Sequence, residues 1–468
     1  MAPPSFNARM AELRKTGKDA ETVRAAQLEH LNALVAHARA NSKLYREHYA
    51  KVPERVTDVR QLPPVTRAQL QGNFDAWVSD PAVTKQAALA FASDMSLIGQ
   101  PFLGKYALWT TSGVTGEPGI FLQDDDALEQ YRAISGQRLL VGNLGMLGAL
   151  RLRMKGPKLA VLYATGAHFG GIGSVHAYER TGGLDPELTR IIPVQLPVKD
   201  LVAQLNEFRT DFIMGYTNSL LQLAEEKRQG RLRIKPMFIM TCAEWYDQDA
   251  YRAMQQEFKP AVVRDVYGAT ECTMMAYACK ENWLHVNADW CIVEPVELDY
   301  SPTPPGQVSR TTLITNLVNK LQPLIRYDIG DRTMLRPDAC PCGSPFPAIR
   351  VEGRRDQVLT FLSPKGERVS IVPKAMVGQV EQVQSIELYQ LLQTGPASMD
   401  VRIQATPGAD ADQAWEELRG KLGLFFAQQG LEVALHRSPE PPRKDPKTGK
   451  FLHIWATPEA RAKVQAAK

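Results

Sequence analysis

Residues 110–119 read TTSGVTGEPG. Three glycines and four hydroxyl residues in ten positions leave backbone N–H groups and hydroxyls open, as a loop that wraps a phosphate chain requires. The Gly-Lys-Ser/Thr ending of a P-loop is missing, so the positive charge must come from elsewhere. Alone, the stretch reads equally well as a turn after the strand KYALWT. What surrounds it decides.

Downstream, the apolar runs KLAVLYATG, RIIPVQLP, DFIMGYT, MFIMTCAE and AVVRDVYG read as buried strands. Helical patterns such as VKDLVAQLNEF and NSLLQLAEEKRQ separate them, so an α/β fold with a largely parallel, helix-covered sheet is expected. Upstream, Val23, Leu28, Leu31, Leu34, Val35 and Ala38 recur at helical spacing, predicting an amphipathic helix from about 20 to 42. After about residue 290 the texture turns β-rich, with TTLITNL and PLIRYDIGDRTML. Beyond VEGRRDQV (351–358), SMDVRIQATPG, DADQAWEELRGKLGLFFAQQG and LEVALHRS form a small β-α-β pattern. The expected organisation is a large N-terminal domain of several subdomains, 1–353, and a small mobile α+β C-terminal domain, 354–468. RSPEPPRKDPKTGKF within the latter reads as a mobile surface loop.

Composition bounds the function. The chain has 468 residues, 44% hydrophobic and 23% charged, as in an ordinary soluble protein of two to four domains. With 55 basic against 51 acidic residues, neither nucleic acid nor a membrane surface is expected as the main partner. The start MAPPSFNARMAELRKTGKDA has no apolar signal core, and no run is long enough to span a bilayer, so a cytoplasmic location is expected. Six cysteines in so long a chain make no disulfide framework.

Four further motifs stand in order behind the loop. YGATE (267–271) ends in a carboxylate that could hold Mg²⁺, and PLIRYDIGD (323–331) ends in Asp331, suited to gripping both ribose hydroxyls. EGRRD (352–356) lies at the expected boundary, and DPKTGK (445–450) places Lys450 in the C-terminal loop. Each has a plainer reading as strand end, turn or solvated basic face. Together and in this order they resemble the adenylate-forming (AMP-binding) superfamily. ATGAHFGGIG, FIMGYTNSLLQLAEE, TCAEWYD and CPCGSPFPAIRVEGRRDQ resemble its phenylacetate–coenzyme A ligase branch, from about residue 60 to the end.

The resemblance implies roles. Thr111, Ser112, Gly113, Thr115 and Gly116 would line the ATP phosphate loop. Tyr267 and Gly268 would flank the adenine, Thr270 the α-phosphate, and Glu271 would ligate magnesium. Asp331 would hold the ribose with Arg354 behind it, and Asp356 would be the hinge. Lys450 would bridge the substrate carboxylate and the α-phosphate, supplying from another domain the cation that the loop lacks. The implied activity is ATP-dependent conversion of a small carboxylic acid to an acyl-adenylate, then to an acyl-coenzyme A. The alternative acceptor is a carrier-protein thiol or an amine, and a homodimer is a candidate assembly. A catalytically dead binding protein fits poorly with Lys450 and Glu271 both present. The sequence departs from the family pattern at Val114, Glu117 and Gln357. The first two remove a hydroxyl and a cation near the phosphates, and the third leaves Asp356 as the hinge candidate.

For the acid, the branch points to His168, Phe169, Tyr216, Glu244 and Trp245, each of whose aromatics also reads as ordinary core. Together they favour a flat aryl or arylacetic acid. A second constellation is metal-like: Cys279 and His285 on one segment, Cys340 and Cys342 on another, enough for a closed Cys₃His zinc site. The C-x-C spacing is tighter than the usual C-x₂-C, but relatives in the branch carry Cys and His at similar places. Cys242, Cys272 and Cys291 sit in apolar stretches and are expected to be buried.

Overall fold

The computed structural model describes residues 3–111, 119–154, 156–194, 196–242, 248–352, 359–371, 373–443 and 453–466. Its centre is a nine-stranded sheet built from β1 (Leu159–Leu162), β2 (Thr189–Ile191), β3 (Phe212–Tyr216), β4 (Phe238–Cys242), β5 (Val262–Ala269), β6 (Cys272–Ala278), β7 (Leu284–Val286), β8 (Thr333–Leu335) and β9 (Ala348–Val351). The strand order is β8-β9-β7-β6-β5-β4-β3-β1-β2. From β2 to β5 neighbours run parallel, and from β5 to β8 they run antiparallel. The five expected apolar runs are the five parallel strands. β1 and β4 are buried along nearly their whole length, because helices cover both faces.

The order is informative. From β1 the chain crosses to β2 on one side, then returns to β3 on the other, so a topological switch lies between β1 and β3. Open α/β sheets bind ligands in the crevice at the carboxyl ends of such strands. Here those ends carry Tyr163, Tyr216 and Cys242.

The expected N-terminal helix spans Ala20–Asn41, started by a capping box between Asp19 and Thr22, with Leu31, Leu34, Val35 and Ala38 buried. Its apolar face joins a core shared with a four-stranded sheet of Val65–Thr66, Leu324–Asp328, Thr311–Asn316 and Cys291–Val296. Another four-stranded sheet near the C-terminus consists of Ala434–Arg437, Ser398–Ala405, Ile386–Gly395 and Ile454–Ala456, backed by the helix Ala411–Gln428. One apolar cluster runs from Tyr163, Phe169 and Tyr216 to Leu359, Phe361 and Leu391, so the C-terminal sheet packs over the carboxyl ends of β1 and β3. The expected boundary at 353/354 falls outside the described residues. Cys272 and Cys291 are buried as expected, whereas Cys242 is only half-buried, because it caps β4 at the crevice. No helix among the described residues is long and apolar enough to cross a membrane.

Candidate active site

The Gly/Ser/Thr-rich segment joins two paired strands, Ala107–Thr110 and Ile120–Gln123. Its base is closed twice: the Thr111 N–H donates to the Gly119 carbonyl at 2.9 Å, and the Gly119 N–H donates to Thr111 Oγ1 at 3.1 Å. Ser112, Gly113, Thr115 and Gly116 lie outside the described residues.

Three strand ends converge beside this base. Tyr267, near the end of β5, donates its hydroxyl to Asp331 Oδ2 at 2.8 Å. Both side chains are buried, so the hydroxyl holds the carboxylate in place within an apolar wall. At Gly268 a Cβ would collide with the Thr273 carbonyl across the β5–β6 hairpin, so this position is closed to any side chain. A Cβ at Gly170 would lie 3.1 Å from Thr270 Oγ1, so the glycine lets the β1 turn approach the Thr270 side chain. Glu271 is buried and lies 3.3 Å from the Tyr327 hydroxyl, which donates to Oε1, and Asn316 Nδ2 donates to its backbone carbonyl. Burial and the Glu271 charge push the Tyr327 hydroxyl well above its ordinary pKa, so it stays a donor.

Sequence reasoning missed one cation. Arg67 stands at the start of a short helix, Arg67–Gly72, with a guanidinium nitrogen 3.1 Å from where a Cβ at Gly119 would be. Its charge reaches both Tyr327 and His453, which is the first described residue after Lys450. Arg67 is 43 positions before the start of the phosphate loop at Thr110, and no motif marks it. Lys450, Arg354 and Asp356 lie outside the described residues.

The acid-pocket candidates divide. Tyr216 and Phe169 share the cluster at the switch point, where Tyr216 packs on Tyr163 at 5.2 Å between ring centroids. The Tyr163 hydroxyl lies 3.4 Å from Cys242 Sγ, so a phenol that no motif marked and a thiol expected only to be buried join this wall. His168 is turned elsewhere: its Nε2 contacts the Asp94 carbonyl at 3.0 Å and its ring packs on Phe91. Burial lowers its pKa, so the ring is neutral at pH 7 and belongs to the 91–102 turn. Glu244 and Trp245 lie outside the described residues.

At the antiparallel end of the nine-stranded sheet, Cys279, His285, Cys340 and Cys342 bring their ligand atoms within 4.8 Å of one another. Cys279 Sγ and Cys340 Sγ are 3.8 Å apart, and Cys342 Sγ is 3.1 Å from His285 Nε2. A tetrahedron with metal–sulfur bonds of about 2.3 Å has edges of about 3.8 Å, so the spacing fits. His285 Nδ1–H donates to the Phe346 carbonyl at 2.8 Å, which turns the Nε2 lone pair toward the thiols. Burial, with the neighbouring thiols, pushes the Cys342 thiol up to about 12. A bound cation would reverse that by stabilising the thiolate.

Comparison with known proteins places the fold. The chain is 24% identical over 390 residues to a phenylacetate–coenzyme A ligase of Pseudomonas putida, covering 79% of this chain and 78% of that protein. It is 24% identical over 350 residues to the phenylacetate–coenzyme A ligase of Thermus thermophilus, covering 72% of each. No protein-family model matches. Among solved structures, it resembles a 2-hydroxyisobutyryl-CoA ligase in complex with 2-HIB-AMP and CoA, with a TM-score of 0.58, 18% identity, and coverage of 97% of this chain and 93% of that one. The same ligase in its postadenylation state gives a TM-score of 0.53 over 96% of this chain. At that identity the likeness establishes the fold.

Proposed function

We propose that this chain, a relative of the phenylacetate–coenzyme A ligases with the fold of the adenylate-forming ligases, converts a carboxylic acid to its coenzyme A thioester using ATP. One observation carries the reading. The base of a Gly/Ser/Thr loop, the Tyr267–Asp331 pair, buried Glu271 and the Arg67 guanidinium come together on the carboxyl-end side of the parallel strands.

The chemistry needs these groups. In the first half-reaction a substrate carboxylate oxygen attacks the α-phosphorus of ATP and pyrophosphate leaves. Two anions repel, so cations must be positioned where charge develops. Arg67 stands at the loop for the phosphates, and Lys450 would neutralise the carboxylate and α-phosphate. Asp331, steadied by Tyr267, would accept from the ribose hydroxyls. Glu271 is a buried carboxylate with hard oxygen donors and fits a magnesium ion, which would supply charge neutralisation at the phosphates. In the second half-reaction the coenzyme A thiolate attacks the acyl carbon, the C–O bond to phosphate breaks, and AMP leaves.

The acid is read from the wall. Tyr163, Tyr216 and Phe169 are rings at one crevice, which favours a flat aryl or arylacetic acid. We assign the Cys₃His cluster a structural zinc, because four protein ligands leave no open position. A cytoplasmic setting fits ATP and coenzyme A as the substrates. A panel of aromatic acids in a pyrophosphate-release assay, with and without coenzyme A, tests the whole. Release that depends on acid, with thioester appearing only when coenzyme A is added, is the expected result. Release without thioester would shift the acceptor to a carrier-protein thiol or an amine. No acid-dependent release from any carboxylate would overturn the activity.

A further inference from the structure

Away from the crevice, two arginines share one indole. Trp283 immediately precedes β7, whose antiparallel register with β9 sets it opposite Arg350. Arg350 in turn faces Met334 of β8, and the Arg336 N–H closes that edge on the Ala348 carbonyl at 2.8 Å. The guanidinium carbons of Arg336 and Arg350 lie 4.7 and 4.2 Å from the Trp283 ring centroid. Trp283 is buried beneath them, so the ring is a platform and the two cations are its cover.

What these guanidiniums lack is an anion. Among the described residues, neither makes a hydrogen bond or an ion pair, and the Nε of each is buried without a partner. Two like charges gathered on one ring repel, and stacking on an indole offsets only part of that cost. Elsewhere on this chain, arginines in similar settings are paired, as Arg138 with Asp289 and Arg326 with Glu294. A planar fork of donors held flat on a ring is preorganised for a tetrahedral anion.

The position narrows the ligand. β8 begins two residues after Asp331, and β9 leads through Glu352 toward 353–358, with the Glu352 N–H donating to the Arg332 carbonyl. Arg336 is five positions beyond Asp331, at most about 16 Å of extended chain. The loop and Arg67 already address the ATP phosphates, which leaves this pair of arginines for another anionic ligand. It suits a ligand whose reactive end and nucleotide lie at opposite ends of a long arm.

We infer that Arg336 and Arg350, seated on Trp283, bind the 3′-phosphate of coenzyme A. This rests on the reading of the chain as a coenzyme A ligase. Coenzyme A differs from ATP in carrying a phosphate monoester on its ribose, close to a dianion at pH 7. Two guanidiniums match that charge.

The test compares coenzyme A with dephospho-coenzyme A, which lacks only that phosphate. The wild type should show a KM for coenzyme A at least about 10-fold below that for dephospho-coenzyme A, one charge-assisted contact being worth about a factor of 10 or more. In Arg336→Ala, Arg350→Ala and the double variant, the two KM values should converge, chiefly by a rise for coenzyme A. Lysine at either position should restore part of the difference. Acid-dependent ATP–pyrophosphate exchange, which uses no coenzyme A, reports that each variant is folded. Calorimetric titration with adenosine 3′,5′-bisphosphate against AMP reads the site without turnover. Bisphosphate preference in the wild type that vanishes in the double variant supports the site even if thioester formation fails, which would count against the ligase reading alone. A double variant that still discriminates coenzyme A from its dephospho form, or a wild type that never did, overturns the assignment.

Discussion

A methyl group at residue 268 would meet the Thr273 carbonyl, a backbone atom in a paired strand that cannot swing aside. Gly268→Ala should therefore distort the β5–β6 hairpin, costing about 1–3 kcal/mol as overpacking does. Because the hairpin carries Tyr267 and Glu271, ATP affinity should fall with stability. Calorimetric unfolding and ATP titration of this variant check both, and unchanged values would mean that the hairpin is slack. For Lys450 the expected effect is purely kinetic. Losing a positioned cation at a developing charge costs about 100- to 1000-fold, so Lys450→Ala should lose most acid-dependent ATP–pyrophosphate exchange while still converting supplied acyl-adenylate to thioester. Wild-type exchange would remove Lys450 from the mechanism. That Tyr267, Glu271 and Asp331 lie near one another was legible because short motifs carry them. Arg67, Tyr163 and Cys242 were not, since each reaches the site only through folding: a helix start packed under the loop, and two strand ends that meet across the sheet.

At the scale of elements, the parallel strands could be read because strands buried on both faces are unbroken apolar runs. The antiparallel end could not. β7, β8 and β9 have three or four residues each, too few to show a period, and the β7–β9 pairing joins positions more than 60 apart. The Cys₃His cluster ties those same strands, since Cys279 and His285 flank the turn into β7 while Cys340 and Cys342 sit between β8 and β9. Protein purified without a polyhistidine tag should hold about one zinc per chain, and Cys340→Ser/Cys342→Ser should lose it and melt at lower temperature. Metal-free protein with full stability would end the zinc assignment. The strand Ile454–Ala456 depends on His453, whose Nδ1–H donates to the Tyr389 carbonyl at 3.2 Å while its ring packs on that of Tyr389. Burial lowers this imidazole from 6.5 to about 4, with the nearby Arg67 charge adding to the effect and the bond to Tyr389 opposing it. The unfolded chain binds a proton first, so stability present above pH 6.5 is lost as pH falls toward 4. His453→Gln, which cannot titrate, should flatten that limb of a denaturation–pH profile, and an unaltered limb would place its origin elsewhere.

On the proposed function, two reactions share one site. The C-terminal sheet covers the carboxyl ends of β1 and β3 through a continuous apolar cluster, and its last strand brings His453 within reach of the Arg67 charge. Lys450 is three positions before His453 in the sequence. On the proposed function, a lysine acting on the adenylate would occupy the approach that a thiol needs next, so one pose would not serve both steps. We propose a swing of the C-terminal unit about the 353–358 segment. Asp356 is the residue in that segment we assign to the hinge. Proline there fixes φ near −65° and removes an N–H, so Asp356→Pro should hold the unit in one pose. If that pose is the one with Lys450 at the crevice, pyrophosphate exchange should stay within a few-fold of wild type while thioester formation from supplied acyl-adenylate falls by 10-fold or more, a change of about 1.4 kcal/mol in barrier. Measuring the two half-reactions separately decides. An equal loss in both would place the pivot at another residue, and an equal retention would mean that the unit does not need to move.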